Sequence, residues 1–547
     1  MYPCPNCAGV LLFDIETQMM KCDHCEDLFH PRSFPNNVTD AAEKKFFEVT
    51  TYTCPQCNGE VNSTEKLTAT FCVYCGSPVT MTQKYGETQA PDYIIPFMKT
   101  KKQCIEEYRR EIKRTCFIPK EMKSAKFQDN FIGMYIPYWS YPVTVDKEMG
   151  FLGKKIKEDV DNIYESTYQI VGKWKMNAEG LMHDASAAFS DELSERIAPF
   201  HYDRKTEFHP AYMAGFYGDA DDVPAQLYKR DAGRVVVDLM QNVVREKTGL
   251  KDLDITDSQE KIIDELDMTA PKKVLVPIWF MAYRNKKRVS YAAINGETGR
   301  IATDLPVNMK MFAISVLLFT IPTFVILSLL VSNTPTPLLM FLGVLSGSLT
   351  IFTYLDIRNI VENEQLEFDR GKNRTSFGSR RNVFGKGESD SKHDLKRTVQ
   401  KKNALGTIVT IGAYGGSIVL ELFTRAYFAH DTKVYMHIAG NVAVWVTMAG
   451  SLYLTWRFLK YITQMEEAMV TVRIIMRRGF YSALLATLIA QMTVWLNPMT
   501  DMVSYAVAFV AVLLDLVSLV CVIQKINILA TREIPYFNRK DIGGEHS

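Results

Sequence analysis

The chain has 547 residues, of which 47% are apolar and 23% charged, with a mean hydropathy of −0.07. That length allows roughly three or four domains, and the composition excludes a disordered chain and a small disulfide-stapled secreted domain. Lys and Arg number 63 against 62 Asp and Glu, and the resulting net charge of +1 gives no reason to expect a uniformly basic nucleic-acid binder.

Eight of the eleven cysteines lie in the first 75 residues, all in Cys-x-x-Cys pairs: Cys4/Cys7, Cys22/Cys25, Cys54/Cys57 and Cys72/Cys75. Each cysteine of the first set recurs 50 positions later, and both sets begin Cys-Pro-x-Cys-x-Gly. A short module is therefore repeated. Two cysteines three apart wrap a tight knuckle that places both sulfurs on one ion. Two knuckles joined by a hairpin complete the tetrahedral thiolate shell of a structural zinc site. The expectation is two small β zinc ribbons, over residues 1–30 and 50–82, each holding one Zn2+. The 14 residues between knuckles fall just short of the usual 15–20, which a shorter hairpin accommodates. Pro5 and Pro55 stiffen the first knuckles, and Gly9, Gly59 and Gly76 are expected in φ > 0 turns. Glu26 stands where the second copy has Gly76, so the first site is expected to be looser.

Disulfides, a redox Cys-x-x-Cys, rubredoxin-like iron and a cross-braced pairing of alternate knuckles are the competing readings. No signal peptide is recognisable, which argues for a reducing compartment. A redox motif explains one pair and not four, and the strict repeat favours two self-contained sites. His24 reads as a solvated residue, and Cys104, Cys116 and Cys521 as ordinary core or lipid-facing residues. Residues 1–83 hold five Lys or Arg against ten acids, before about −2 from each four-cysteine zinc centre. That region lacks the basic footprint of phosphate binding. A protein partner or structural bracing is expected ahead of nucleic acid.

Residues 84–305 carry no long apolar run and read as a soluble α/β (α+β) domain. Lys99 to Cys116 predicts an amphipathic helix with Ile105, Tyr108, Ile112 and Cys116 inward. Its opposite face, with Arg109, Arg110, Lys113 and Arg114, is a solvated face or a contact for anionic lipid. A second helix is expected over about Ala225 to Lys247, with Leu227, Val235, Leu239 and Val243 inward. Two strands echo each other, Ile136 to Val143 and Val276 to Tyr283, each with Pro near its start and a core Trp. Val289–Ile294 and Arg300–Thr303 flank Asn295-Gly-Glu-Thr-Gly299, a hairpin turn. Asp219, Asp221 and Asp222 read as loop residues or helix caps. No nucleotide loop, nucleophile elbow or zinc-protease motif occurs, so no enzyme is expected.

From Met309 the composition changes, and six apolar spans suggest an all-α six-helix transmembrane region: Met309–Val331, Pro337–Leu355, Leu405–Phe428, Val434–Thr455, Tyr481–Pro498 and Met502–Gln524. Residues 309–355 would form a two-span hairpin, 356–404 a basic disordered loop, 405–524 four further spans and 525–547 a tail. Twelve Lys or Arg in 356–404 and five in 456–480 put these loops and both termini in the cytoplasm. The expected location is thus the cell membrane, with the bilayer as one partner. Gly343-x-x-x-Gly347 and Gly412-x-x-x-Gly416 permit close helix contact, including homo-oligomers. Asp515 is the one ionisable residue deep in a span, and it is expected to bond to Thr487 or a nearby polar group. Glu421, His430, Asp431 and His437 form a second, weaker candidate metal group.

The ribbons, together with "PDYIIPF" at 91–97, "GMYIPYW" at 133–139, "VLVPIWFMAY" at 274–283 and "YAAINGETGRIATDLPV" at 291–307, resemble a family of bacterial membrane proteins with tandem N-terminal TFIIB-type zinc ribbons, common in Gram-positive anaerobes. The resemblance covers residues 1–305 and runs into the first span. It implies a membrane-anchored, zinc-binding protein without established enzymatic activity. The function expected is a scaffold or adaptor that recruits cytosolic proteins. The alternatives are a membrane-tethered nucleic-acid-binding regulator and a transporter or metal sensor.

Overall fold

A computed structural model describes residues 2–36, 38–41, 44–64, 72–78, 82–115, 117–158, 163–186, 188–189, 191–250, 254–255, 259–316, 318, 322, 335–367, 450–463, 470–496 and 501–535. Two compact units divide them. One runs to Leu305 and includes the strand Arg532–Glu533; the other is drawn from Pro306 to Ala530.

Sheets dominate the first unit. β1 (Leu11–Asp14) and β2 (Met19–Cys22) form a hairpin with Leu28–Phe29 beside it, a three-stranded sheet. β3 (Lys44–Thr53), β4 (Glu60–Ser63) and β5 (Thr82–Gln89) carry the second cysteine set, and all three belong to one 13-stranded sheet. That sheet also holds β6 (Ile132–Ser140), β9 (Lys272–Asn285), β10 (Arg288–Asn295) and β11 (Ile301–Thr303). Between β6 and β9 in sequence, β7 (Val143–Glu158) and β8 (Ile163–Ala178) form a long hairpin in a separate four-stranded sheet.

The two echoing strands are direct antiparallel neighbours. Ile136 faces Val276, and Trp279 faces Gly133. Their prolines lie inside the strands rather than at the starts. Each uses only its carbonyl outward: Pro137 O accepts from Ala185 N at 2.8 Å, and Pro277 O from Gly296 N at 2.8 Å. A missing N–H is tolerated where no ladder donor is needed there. Gly133 is bare because a Cβ would come within 2.6 Å of the Phe216 ring. The 295–299 hairpin turn forms as expected: Asn295 Oδ1 accepts from Glu297 N and Thr298 N, both at 2.9 Å, and Gly299 takes φ +81°.

Helix α1 spans Lys101–Arg114, capped by Thr100 with Gln103 in a reciprocal capping box, and buries Ile105, Tyr108 and Ile112. Cys116 lies outside the described residues. Helix α2 spans Lys229–Thr248, but its inward stripe is Ala232, Val236, Val237, Met240 and Val244, while Leu227 and Val243 are exposed. Adjacent apolar residues made two neighbouring stripes equally plausible from the sequence. Gly233 selects the observed one, since a Cβ there would meet Ile263 Cγ2 at 2.9 Å.

The second unit contains α3 (Pro335–Glu367), α4 (Val470–Leu496) and α5 (Asp501–Leu529). Here the expected all-α six-helix transmembrane region is corrected. The described architecture is rich in sheet, and among the described residues one helix, α5, is long and apolar enough to cross a membrane. The expected span Pro337–Leu355 and residues 481–496 of Tyr481–Pro498 fall on longer helices whose polar ends extend the element beyond the apolar stretch, while 497–498 lie outside the described residues. Asp356, Arg358 and Glu362 follow in α3, and Arg473, Arg477 and Arg478 precede in α4. Residues 405–428, and most of 309–331 and 434–455, lie outside the described residues. Helix α5 is apolar outside and small or polar inside. Val503, Phe509, Leu513, Leu516 and Val520 are exposed, whereas Ser504, Ala508, Ala511, Asp515 and Ser518 are buried. A helix facing water would show the reverse.

Candidate metal centres

The four knuckles share one backbone loop. The first cysteine's N–H donates five residues on, and its carbonyl accepts from the residue four on. Cys4 N reaches Gly9 O at 2.7 Å and Ala8 N reaches Cys4 O at 2.9 Å. Cys22 pairs likewise with Asp27 O and Glu26 N, Cys54 with Gly59 O and Asn58 N, and Cys72 with Ser77 O and Gly76 N. The residue after each second cysteine is left-handed: Ala8 at φ +59°, Glu26 at +60°, Asn58 at +55° and Gly76 at +64°. Only Gly76 fits the sequence expectation for φ > 0 turns. Gly9 and Gly59 serve a different purpose, close approach of the opposite knuckle. A Cβ on Gly9 would lie 3.0 Å from Cys22 Sγ, and one on Gly59 would lie 2.6 Å from the Tyr74 ring.

These loops bring the sulfurs into two self-contained groups, Cys4–Cys7–Cys22–Cys25 and Cys54–Cys57–Cys72–Cys75, each with all ligand atoms within 4.8 Å of one another. Sγ atoms of Cys4 and Cys25 are 3.5 Å apart, Cys7 and Cys22 3.4 Å, Cys54 and Cys75 3.8 Å, and Cys57 and Cys72 3.6 Å. A disulfide needs about 2.05 Å, so none of these pairs is bonded. A tetrahedral shell with metal–sulfur bonds of about 2.3 Å has edges of about 3.8 Å. The donor set and its geometry fit one ion per group. His24 is exposed and outside the first group.

The thiols are prepared unequally. The Cys25 backbone N–H holds the Cys22 thiol down at about 6. The Cys57 and Cys72 sulfurs pull the Cys75 thiol below its usual range. Each group thus favours one thiolate, the form that binds metal, while Cys7 and Cys25 in the first and Cys57 and Cys72 in the second are pushed up by their neighbours.

The two centres sit differently in the first unit. In the first, Cys7 is exposed and Cys25 half-buried; in the second, all four cysteines are buried. The first ribbon packs Leu11, Phe13 and Met20 into a core shared with Phe97, Tyr135 and Trp279. The second is fastened by polar contacts. Tyr74, between Cys72 and Cys75, donates its hydroxyl to Asp219 Oδ1 at 2.5 Å, and its carbonyl accepts from Tyr291 Oη at 2.8 Å. Ser186 Oγ donates to Asp219 Oδ2, and Ala220 N to Oδ1 at 2.8 Å. Arg284 donates to Gln56 Oε1 at 3.0 Å and to Ser77 Oγ. Asp219 and Asp221 lie in a loop as expected, but Asp219 is also a buried clamp, and Asp221 pairs with the buried Lys273 at 2.9 Å. The sequence offers no spacing that connects Tyr74 to Asp219. The one local signal is a large aromatic inside a knuckle.

The chain is 25% identical over 312 residues to the uncharacterised protein YdjG of Bacillus subtilis (strain 168), covering 56% of this chain and 90% of that protein. No family model matches the chain. No solved structure matches it either. The chemistry of the centres rests on their own sulfurs.

In the second unit, Asp515 is buried, and its Oδ2 lies 2.7 Å from Ser346 Oγ. Thr487 instead donates to Ala483 O one turn back, at 2.9 Å. Glu421, His430, Asp431 and His437 lie outside the described residues.

Proposed function

We propose that this protein is a non-enzymatic, membrane-associated scaffold braced by two structural Zn2+ ions. The observation that carries the reading is that, among the described residues, each centre gathers four sulfurs and no other donor. A four-sulfur tetrahedron suits zinc and leaves no coordination position for substrate, whereas catalytic zinc keeps one open. When bound, the ion contributes folding free energy directly. Cys4, Cys7, Cys22 and Cys25 would hold one ion, and Cys54, Cys57, Cys72 and Cys75 the other.

The attachment to a membrane is supported by the outward apolar face of α5. The partner in this reading is a cytosolic protein, engaged through the exposed rim of the first centre around Cys7 and His24. Ten acids against five basic residues in 1–83 weigh against nucleic acid there. The test is crosslinking capture by the full chain against Cys4→Ser/Cys7→Ser, with metal content measured on both. The reading expects two zinc per wild-type chain and loss of the captured protein with the first ion. Iron in place of zinc, or a capture unaffected by the variant, would overturn it.

A further inference from the structure

The hydroxyl of Ser346 on α3 has two acceptors and one proton. Its Oγ lies 2.8 Å from Leu342 O, one turn back, and 2.7 Å from Asp515 Oδ2 on α5. A serine donates once. Elsewhere in this unit the hydroxyl proton goes to the carbonyl one turn back: Thr350 to Ser346 O at 2.9 Å, Thr487 to Ala483 O at 2.9 Å and Thr493 to Ile489 O at 2.7 Å. If Ser346 follows that pattern, the proton in its contact with Asp515 comes from the carboxyl.

The surroundings agree. Asp515 is 7% exposed, and its Oδ1 has no hydrogen-bond partner among the described residues. Residues 335–355 of α3, 479–496 of α4 and the rest of 502–524 in α5 contain no charged side chain. The next charges along these helices are Asp356, paired with Lys525, Arg478 at the far side of Gly479, and Asp501 at the start of α5. Arg457, in the helical stretch 450–463 whose Leu454 and Phe458 share a core with Tyr354, lies over the Tyr461 ring. No cation among the described residues offsets a carboxylate at this position, and burying one with a single neutral donor is costly. Ser518 Oγ and both amide atoms of Gln491, buried on the packed faces of α5 and α4, also lack partners among the described residues. The unit therefore keeps unused donors and acceptors at its polar seam.

We propose that Asp515 is a proton-binding site, whose carboxyl carries an exchangeable proton on Oδ2. In the loaded state Oδ2–H donates to Ser346 Oγ, and Ser346 donates to Leu342 O. On release the proton passes to a solvent base, the carboxylate forms, and the Ser346 hydroxyl turns from Leu342 O to Oδ2. Ser346 is the positioning residue of this two-state device. The site is independent of the zinc centres and of the scaffold reading.

The test is infrared spectroscopy of the full-length protein in lipid vesicles. Wild type at neutral pH should show a protonated-carboxyl carbonyl band that is lost in Asp515→Asn and displaced in Ser346→Ala. Raising the pH should remove the band from wild type. Should Asp515→Asn fail to fold, Asp515→Glu keeps the band at a displaced position, and Ser346→Ala still reports the contact. Absence of a band at neutral pH, or a band indifferent to both residues, would overturn the site. A band that survives at every pH would overturn the exchange.

Discussion

Tyr74 Oη and Asp219 Oδ1 are 2.5 Å apart, so the residue between two cysteines of the second centre is bonded to a buried carboxylate from a distant part of the chain. Removing that hydroxyl takes one donor from Asp219, which keeps Ser186 Oγ and the Ala220 N–H. Tyr74→Phe should cost about 1–3 kcal/mol, the penalty of an under-satisfied buried acceptor. Metal content should stay at the wild-type value. Denaturant unfolding beside a zinc assay checks both halves, and loss of metal in this variant would show that the clamp holds the ion rather than the fold.

Cys54→Ser and Cys4→Ser should each lose about one metal equivalent, with unequal consequences. The second centre is wholly buried and bonded to Tyr291, Asp219 and Arg284, so its loss should expose amides of β4, β9 and β10 to hydrogen exchange. Loss at the more exposed first centre should stay confined to β1 and β2 and their neighbours. Equal spreading from both sites would contradict the asymmetry.

Glu26→Gly should stabilise the first ribbon by about 1 kcal/mol, because Glu26 holds a left-handed backbone that costs an L-residue roughly that much. Gly76→Glu, the reciprocal change, should destabilise the second. Its Cβ would also sit 3.2 Å from Arg284 Cβ. Slower exchange of the Glu26–Cys22 bonded amide in the first variant is the readout.

The metal groups were legible because four knuckles at a strict repeat leave little freedom, and the cysteine sulfurs gather as that repeat implies. The hairpin at Asn295 was legible for the same reason, a local signal with a local cause. The fastening of the second ribbon was not, since Tyr74, Ser186, Asp219 and Tyr291 are far apart in sequence and meet only through the sheet. The 143–178 hairpin escaped notice because its alternation is diluted by lysines and glycines. The six-span reading failed because apolar length alone does not report where a helix ends or whether its inner face is polar, as Ser346, Thr350 and Gln491 show.

His209 caps a short turn through Nδ1, which accepts from Ala211 N at 3.2 Å, while Nε2 donates to Phe34 O at 3.2 Å. The Nδ1 contact requires the neutral ring, whereas Nε2–H donates in either state. Burial, the largest influence, holds its pKa below the usual histidine value. The unfolded chain therefore takes up the proton first as pH falls. The contribution is fully present above the unfolded value of about 6.5 and is lost as the pH drops below it. His209→Gln should flatten the acid-side decline. Melting temperatures of both proteins at about pH 7.5 and about pH 5.5, one unit either side of that value, should differ less in the variant. An unchanged decline would remove His209 as its source.

The four knuckles share a backbone loop but not a neighbourhood. Where the second ribbon has Val73 and Tyr74 between its cysteines, the first has Asp23 and His24. A first ribbon transplanted into the second position would still gather four sulfurs, yet it would offer Asp219 no phenol. The duplicated cassette is thus interchangeable as a ligand set and not as a building part, and the two copies are bound to their places by the residues that touch no metal.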